Sequence, residues 1–339
     1  MIRNQWYAIL ESREVKKGKP IGVTRMGEKL VLWRDSSGKV ACLRDKCPHR
    51  GVALSIGKLK EDRLECPFHG FQFDPSGKCM LIPALGRQAT PPRKMQAHSY
   101  PITEAHDFIW LWWGEYRENL PPISFFDAID DTLSYATLID HWPTHYSRAI
   151  ENQLDVVHLP FVHRTTIGRG NRTVVNGPIT EINCTISDCD LLEIWVNNEI
   201  DQGQKPLGPR EMTKPARRPF LQFIFPNVWH NWISDDVRVL AAFVPVDDEN
   251  TLMYVRFYQK FMRVPVLRDV INRLSLPLNL WILRQDKRVV ITHQPPRSDL
   301  KIGETMIPGD GPIIAYRKHR RQLIKAAEQE QVASKPCDK

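Results

Sequence analysis

The N-terminal third of the chain has the pattern of short strands separated by turns. Between Gln5 and Gly114, apolar and β-branched runs end at clusters of Asp, Ser and Gly. The last run, Phe108–Trp113, is apolar throughout, which predicts a buried strand. The paired prolines of Tyr116–Pro122 predict a linker. We therefore expect one all-β domain over residues 1–117 and a second domain over residues 118–339.

The second part of the chain mixes helical and strand-like patterns. Helical spacing occurs around His145–His158 and Leu267–Thr292, and strand-like runs lie between them at Leu221–Phe225 and Arg238–Val246. Because helices and strands do not alternate regularly, the pattern favours an α+β domain over a doubly wound parallel sheet.

Two polar stretches of the second part are predicted as long loops. They are Arg164–Pro178 and Asn197–Pro219, both rich in Gly, Pro, Lys and Arg. Loops of this length inside a domain are usually functional or disordered.

Composition narrows the class of protein. With 42% hydrophobic and 25% charged residues it is that of an ordinary globular protein. No run reaches the ~18 apolar residues of a membrane span, and the start lacks a signal-peptide pattern, so we expect a cytoplasmic protein without a membrane partner. Seven cysteines favour metal ligation or burial over a disulfide framework.

The net charge of the chain gives little information about its partners. A net charge of +8 comes from scattered residues, so we expect no nucleic-acid partner. The one dense basic run is Arg317–Arg321, in a helical pattern. It is interpreted as a solvated helix face or as a docking surface for an acidic electron carrier.

Two short Cys–His motifs carry the clearest chemistry. Cys47-Pro-His49 is followed after sixteen residues by Cys66-Pro-Phe-His69. Thiolates and imidazoles bind both zinc and iron, so residue type alone does not select the metal. The spacing favours iron, because each loop offers one Cys and one His, which suits a two-iron cluster with sulfur on one iron and nitrogen on the other. Structural zinc and four independently buried residues are the alternatives.

A second group of candidate ligands follows in the other domain. Asp155 and His158 are three residues apart and share a face if the segment is helical. Pro160 should end or bend that helix and let His163 return to the same point. Two imidazoles and one carboxylate form the ligand set of O2-activating Fe(II) sites, and we expect Asp286 to supply the carboxylate. The alternative is a pair of ordinary histidines.

Both groups of residues resemble the motifs of one protein family. Cys47-Pro-His49-Arg-Gly and Cys66-Pro-Phe-His69-Gly are similar to the two cluster loops of Rieske non-haem iron oxygenases. Asn152-x2-Asp155-x2-His158-x4-His163 is similar to their catalytic motif. The chain departs from many members in having Gln285 rather than Glu before Asp286. Among members, it resembles those built from α-subunits alone, such as phthalate dioxygenase, vanillate and dicamba O-demethylases and the oxygenases of guanidinium toxins.

The resemblance implies a fold, cofactors and roles. It implies a Rieske [2Fe–2S] domain, then a catalytic domain of helix-grip type with an antiparallel sheet and covering helices. Cys47, His49, Cys66 and His69 would hold the cluster, and His158, His163 and Asp286 a mononuclear Fe(II). Asp155 would be catalytic, as the carboxylate between His69 of one subunit and His158 of the next, in a homotrimer.

The implied activity is that of a terminal oxygenase. Electrons would come from NAD(P)H through a ferredoxin or flavin reductase, and O2 would hydroxylate or demethylate a small aromatic or planar substrate. The alternative is a Rieske electron carrier fused to a binding domain without its own iron. Candidate pocket residues are Phe223, Phe225, Trp229, Asn231 and Trp232. Arg164 and Arg169 are candidates for pairing with a substrate carboxylate.

Overall fold

The computed structural model describes residues 1–168, 173–185 and 189–333. Within them the chain forms two compact units, one of Asn4–Glu118 and one of Met1–Arg3 with Asn119–Lys339. The boundary lies in the predicted linker. No helix among the described residues is long and apolar enough to cross a membrane.

The first unit is built from short antiparallel strands, as the sequence predicts. They form three small sheets, ordered β1-β10-β9, β2-β3-β4 and β5-β6-β7-β8. The strand Phe108–Trp113 is buried except at its last residue. The ten strands are β1 (Gln5–Glu11), β2 (Ile21–Arg25), β3 (Glu28–Arg34), β4 (Val40–Arg44), β5 (Lys58–Lys60), β6 (Arg63–Glu65), β7 (Gln72–Phe73), β8 (Cys79–Leu81), β9 (Ile102–Ala105) and β10 (Phe108–Trp113).

The second unit is a seven-stranded antiparallel sheet with helices, which confirms the α+β fold class. The sheet order is β11-β17-β16-β15-β14-β13-β12. Its strands are β11 (Ser134–Trp142), β12 (Thr173–Thr185), β13 (Cys189–Ile200), β14 (Leu221–Ile224), β15 (Val228–Trp232), β16 (Val237–Pro245) and β17 (Thr251–Gln259). Its helices are α1 (Tyr146–Leu154), α2 (Leu159–Val162), α3 (Pro265–Val290) and α4 (Gly311–Ala333).

Alternation along the central strands gives the sheet two different faces. On β17, Met253, Val255 and Phe257 share one face. On β16, Val239 and Ala241 pair with Phe257 and Val255 on the same side, and Val237 shares that side. The intervening Arg238 and Arg256 point to the other face, where each guanidinium lies over an aromatic ring, of Trp232 and Tyr135 respectively. One face is therefore apolar and available to line a cavity.

The two predicted loops are partly wrong. Thr173–Thr185 is a strand at the edge of the sheet, and β13 extends to Ile200, so both predicted loops overlap strands. An edge strand has one neighbour and tolerates polar side chains, which is why composition alone indicated a loop.

The basic run on α4 is a solvated face only in part, because Lys318 and Arg321 are exposed whereas other members are buried. Arg317 and Arg320 are 5% and 4% exposed, so neither belongs to a solvated face or a docking surface. The Arg317 guanidinium donates to Glu151 of α1 at 2.6 and 2.9 Å and to Glu304 at 2.7 Å. Arg148 donates to the same Glu151 at 3.0 Å. This network ties α4 to the helix that precedes the candidate iron ligands.

We predict that Glu151→Ala lowers the free energy of unfolding by about 3–5 kcal/mol, because it removes the carboxylate shared by two buried guanidiniums. The matched control is Glu181→Ala, whose partner Lys214 is 45% exposed, and its expected cost is at most about 1 kcal/mol. Urea unfolding followed by tryptophan fluorescence measures both. Equal effects of the two substitutions would contradict a structural role for the network.

Candidate metal centres

The two Cys–His loops of the first unit have the same backbone design. In one, the Cys47 carbonyl accepts from Gly51 N–H at 2.8 Å, and in the other the Cys66 carbonyl accepts from Gly70 N–H at 3.0 Å. Both glycines have positive φ, 75° and 70°, a conformation that side chains disfavour. The sequence repeat therefore produces two equivalent turns that present their ligands alike.

The side chains of these loops suit a two-iron cluster. Cys47 and Cys66 are 3% and 2% exposed and form no disulfide, whereas His49 is half-buried and His69 is exposed. The two imidazole rings lie 4.8 Å apart, centroid to centroid, and the ring of Phe71 stacks on His49 at 4.9 Å. Sulfur ligands inside and nitrogen ligands at the surface match the unequal halves of a Rieske cluster.

The protonation of Cys47 argues against a catalytic thiol. Burial, together with the neighbouring Cys66 thiol, raises the pKa of the Cys47 thiol to about 11. A thiol with that pKa is a poor nucleophile at neutral pH, which argues against a catalytic cysteine. A bound metal cluster would deprotonate it, since coordinated thiols lose their proton.

The segment that carries the second group of ligands is not one continuous helix. Helix α1 ends at Leu154, Asp155–His158 forms a turn, and the short α2 begins at Leu159. Pro160 lies at the start of α2, where a missing N–H costs no hydrogen bond. The predicted shared helical face of Asp155 and His158 is therefore wrong, because the chain turns at Asp155 itself.

The structure brings His158, His163 and Asp286 together. One ligand atom from each residue lies within 4.8 Å of the other two. The Asp286 Oδ1 atom is 3.4 Å from His158 Nε2 and 2.9 Å from His163 Nε2. The two histidines flank α2, and Asp286 lies near the C-terminal end of α3, so two separate helical segments meet here.

The contacts within this triad fit a metal ion better than a hydrogen-bonded cluster. Although both imidazoles approach Asp286 Oδ1, this buried oxygen has no hydrogen bond of acceptable geometry. Burial raises the pKa of the Asp286 carboxyl, but the adjacent His158 and His163 outweigh burial and lower that pKa to about 2. An ionised carboxylate and two imidazole nitrogens that converge on one point are the donor set of a non-haem Fe(II) site.

Gln285 holds one of these ligands, a role that sequence analysis missed. Its Oε1 atom accepts from His163 Nδ1 at 2.8 Å and from the Thr166 hydroxyl at 2.9 Å. Nδ1 therefore carries the proton, which leaves Nε2 free to face the metal. The departure from Glu at this position was visible in the sequence, but the contact joins residues 122 positions apart.

Asp155 lies beside the triad without being a member of it. Its Oδ1 atom accepts from the backbone N–H of Val157 at 2.7 Å and of His158 at 3.3 Å, which stabilises the turn. Its Oδ2 atom is 3.9 Å from His158 Nδ1, too far for a hydrogen bond. His158 Nδ1 is buried and without a hydrogen-bond partner.

A cavity of about 300 Å³ opens from the triad between the apolar face of the sheet and α3. The sheet contributes residues of β13 to β17, and α3 contributes Asn279, Ile282 and Leu283, which share a face with Asp286. The ligands thus lie at one end of a mainly apolar cavity. This is the usual arrangement of a small-molecule site.

Only two of the five predicted pocket residues reach the cavity. Trp229 and Asn231 line this cavity. Phe223 and Phe225 do not, because they pack in the core against Tyr316, and Trp232 faces the opposite side of the sheet. Arg164 lines a separate surface cavity with Trp281 and Arg288, and Arg169 lies outside the described residues.

Comparison with known families matches both halves of the chain. Residues 5–98 match the Rieske [2Fe–2S] domain, and residues 142–326 match the vanillate O-demethylase oxygenase C-terminal domain. The second match alone covers more than half of the chain.

Individual proteins agree with this assignment. Chlorophyllide a oxygenase of Chlamydomonas reinhardtii is 36% identical over 302 residues, which are 86% of this chain and 44% of that protein. The chain matches between 30% and 58% of the length of its curated relatives. NdmA of Pseudomonas putida CBB5 with caffeine has a TM-score of 0.74 at 22% identity, over 96% of this chain and 92% of its own. Dicamba monooxygenase bound to dicamba has a TM-score of 0.73 at 20% identity, over 98% of this chain and 99% of its own.

We predict that Gln285→Leu weakens Fe(II) binding by about 10–100-fold, because it leaves His163 without the acceptor that fixes its orientation. Gln285→Glu is the matched control, since it keeps an oxygen acceptor and should retain iron. Fe(II) affinity measured by competition with a chelator tests both variants. If Gln285→Leu binds iron as tightly as the unchanged protein, the contact has no positioning role.

Proposed function

Since the chain belongs to the Rieske non-haem iron oxygenases, with a C-terminal domain of the vanillate O-demethylase oxygenase type, we propose that it is a terminal oxygenase component. It takes electrons from a ferredoxin or reductase and uses O2 to hydroxylate or demethylate a small organic substrate. The observation that carries this proposal is the triad of His158, His163 and Asp286 at the end of an apolar cavity. An electron carrier fused to a binding domain would need the cavity but not the triad.

The roles of the site residues follow from their positions. Cys47, His49, Cys66 and His69 hold the [2Fe–2S] cluster, and the triad holds the mononuclear Fe(II). When bound, the cluster supplies single electrons and the Fe(II) activates O2. The chain's own contribution is to fix the ligands, through Gln285, and to orient substrate in a cavity from which apolar walls exclude water.

We propose that Asp155 connects the two centres of neighbouring subunits. Its carboxylate is 25% exposed and lies next to His158, whose Nδ1 atom has no partner. A side-chain rotation would allow it to accept from His158 Nδ1 on one side and from His69 of a neighbouring subunit on the other. A carboxylate in that position orients both imidazoles.

The same proposal requires a ring of subunits, and a homotrimer is the form we infer. One face of α3 supports it, because six apolar side chains there are 45–77% exposed: Val266, Leu267, Val270, Leu274, Leu278 and Trp281. An apolar stripe of this length is typical of an interface rather than of a solvated helix. We expect light scattering to give about three times the chain mass. We expect Leu274→Lys to lower that measured mass, because it places a charge in the apolar stripe. Val332→Lys, at an exposed apolar position of α4, should not.

The substrate class is supported by the cavity and by related structures. The cavity of about 300 Å³ suits a small ring system. Related structures hold caffeine in NdmA and dicamba in dicamba monooxygenase, both small planar molecules. The cytoplasmic location predicted from the sequence stays a prediction.

Iron content tests the proposed function. We predict about three Fe per chain in the reconstituted protein, two from the cluster and one from the triad. His163→Ala should lower the content to about two while the Rieske electron paramagnetic resonance signal persists. Cys66→Ser should abolish that signal. Two Fe per chain in the unchanged protein would favour the electron carrier instead.

We predict that Asp155→Asn keeps both metal sites but loses nearly all turnover, because the neutral amide cannot accept from both imidazoles as a carboxylate does. Asparagine keeps the Oδ1 acceptor that caps the turn at Val157, so the fold should survive. Iron content and product formation in a single turnover of the pre-reduced protein measure the two effects. Normal single-turnover product would contradict the bridging role.

A further inference from the structure

The charge of the cavity limits the substrates it can take. Among its described lining residues there is no Lys or Arg, and the only carboxylates are Asp155 and Asp286 at the iron end. The rest of the lining includes apolar side chains of β16 and β17 and the amides of Asn231 and Asn279, with Asn198 at an exposed position. A charged substrate group placed there would lose its hydration without gaining a counter-ion.

Two polar groups on β15 lack partners inside this apolar region. The Asn231 Oδ1 atom and the Trp229 Nε1 atom are both buried and make no hydrogen bond. The two residues are separated by one position and share the strand face that lines the cavity. Buried polar groups are nearly always paired, so an unpaired acceptor and an unpaired donor on the same strand face call for a ligand that supplies both partners.

We propose that the substrate is a neutral, largely apolar ring compound that carries one hydrogen-bond donor and one acceptor, as in an amide, lactam or phenol. Its N–H or O–H donates to Asn231 Oδ1, and the Trp229 indole N–H donates to its acceptor atom. This inference rests on the proposed function, because it places the opposite end of the substrate at the iron triad. It disfavours carboxylate substrates and guanidinium substrates alike.

Three nearly isosteric compounds separate the possibilities by charge. At neutral pH, 4-methoxybenzamide is uncharged, 4-methoxybenzoate is an anion and 4-methoxybenzamidine is a cation. We expect the amide to bind at least about tenfold more tightly than either charged analogue, because only it leaves no unpaired charge in the cavity. Anaerobic calorimetry on the iron-loaded protein measures all three without turnover.

A charge introduced at Asn231 should reverse the preference. Asn231→Asp keeps the side-chain shape but adds a carboxylate. The affinity for the amidine should therefore rise about tenfold relative to the affinity for the amide. The control is Asn198→Asp, the same substitution at an exposed position of the cavity rim, where solvent weakens the effect. Equal iron content and equal thermal unfolding of the variants would show that both are folded.

The outcomes distinguish this inference from the proposed function. Equal or tighter binding of the benzoate or the amidine by the unchanged protein would overturn the substrate class, as would failure of the amide to bind at its solubility limit. An unchanged preference in Asn231→Asp would overturn the assignment of Asn231. Binding as expected, with no O2-dependent demethylation of the amide in the presence of a reductase, would contradict the proposed oxygenase and leave the binding inference standing.

Discussion

The candidate iron site depends on the convergence of three candidate ligand atoms from two helical segments that are far apart in the sequence. His158 and His163 flank a helix of four residues, and Asp286 lies more than 120 positions later on α3. Neither segment could hold its ligands alone, because the short α2 has too few residues to be a stable helix by itself. Contacts from outside fix both, through Gln285 on His163 and Gln153 on Asp286.

The rigidity of the segment before the triad has a second source. Glu151 of α1 lies between the guanidiniums of Arg148 and Arg317, and all three side chains are nearly inaccessible. Buried ion pairs of this kind add little net stability. They do restrict the positions of the helices that carry them, because breaking a pair leaves a buried charge without a partner. The network therefore fixes where α1 ends, and with it the turn at Asp155 that leads to His158.

The sequence predicts what is local and misses what is brought together by folding. The two Cys–His loops, the strand Phe108–Trp113 and the positions of the triad could all be found from spacing and composition. The burial of Arg317 could not, because its partner Glu151 is 166 residues away. For the same reason the role of Gln285 was missed. The sequence predicts a loop over the first part of strand β12, up to Pro178, because an edge strand with an open face has a polar composition.

The sequence also does not show which aromatic and polar side chains line the substrate cavity, whereas the structure does. Trp229, Asn231 and Trp232 are equivalent candidates by residue type, yet only the first two face the cavity. A strand prediction would separate them only if the register and the inner face of β15 were known. Once that face is fixed, the unpaired Asn231 and Trp229 groups become informative, because the cavity offers them no protein partner. The chemistry of the missing partner follows from the groups that need it.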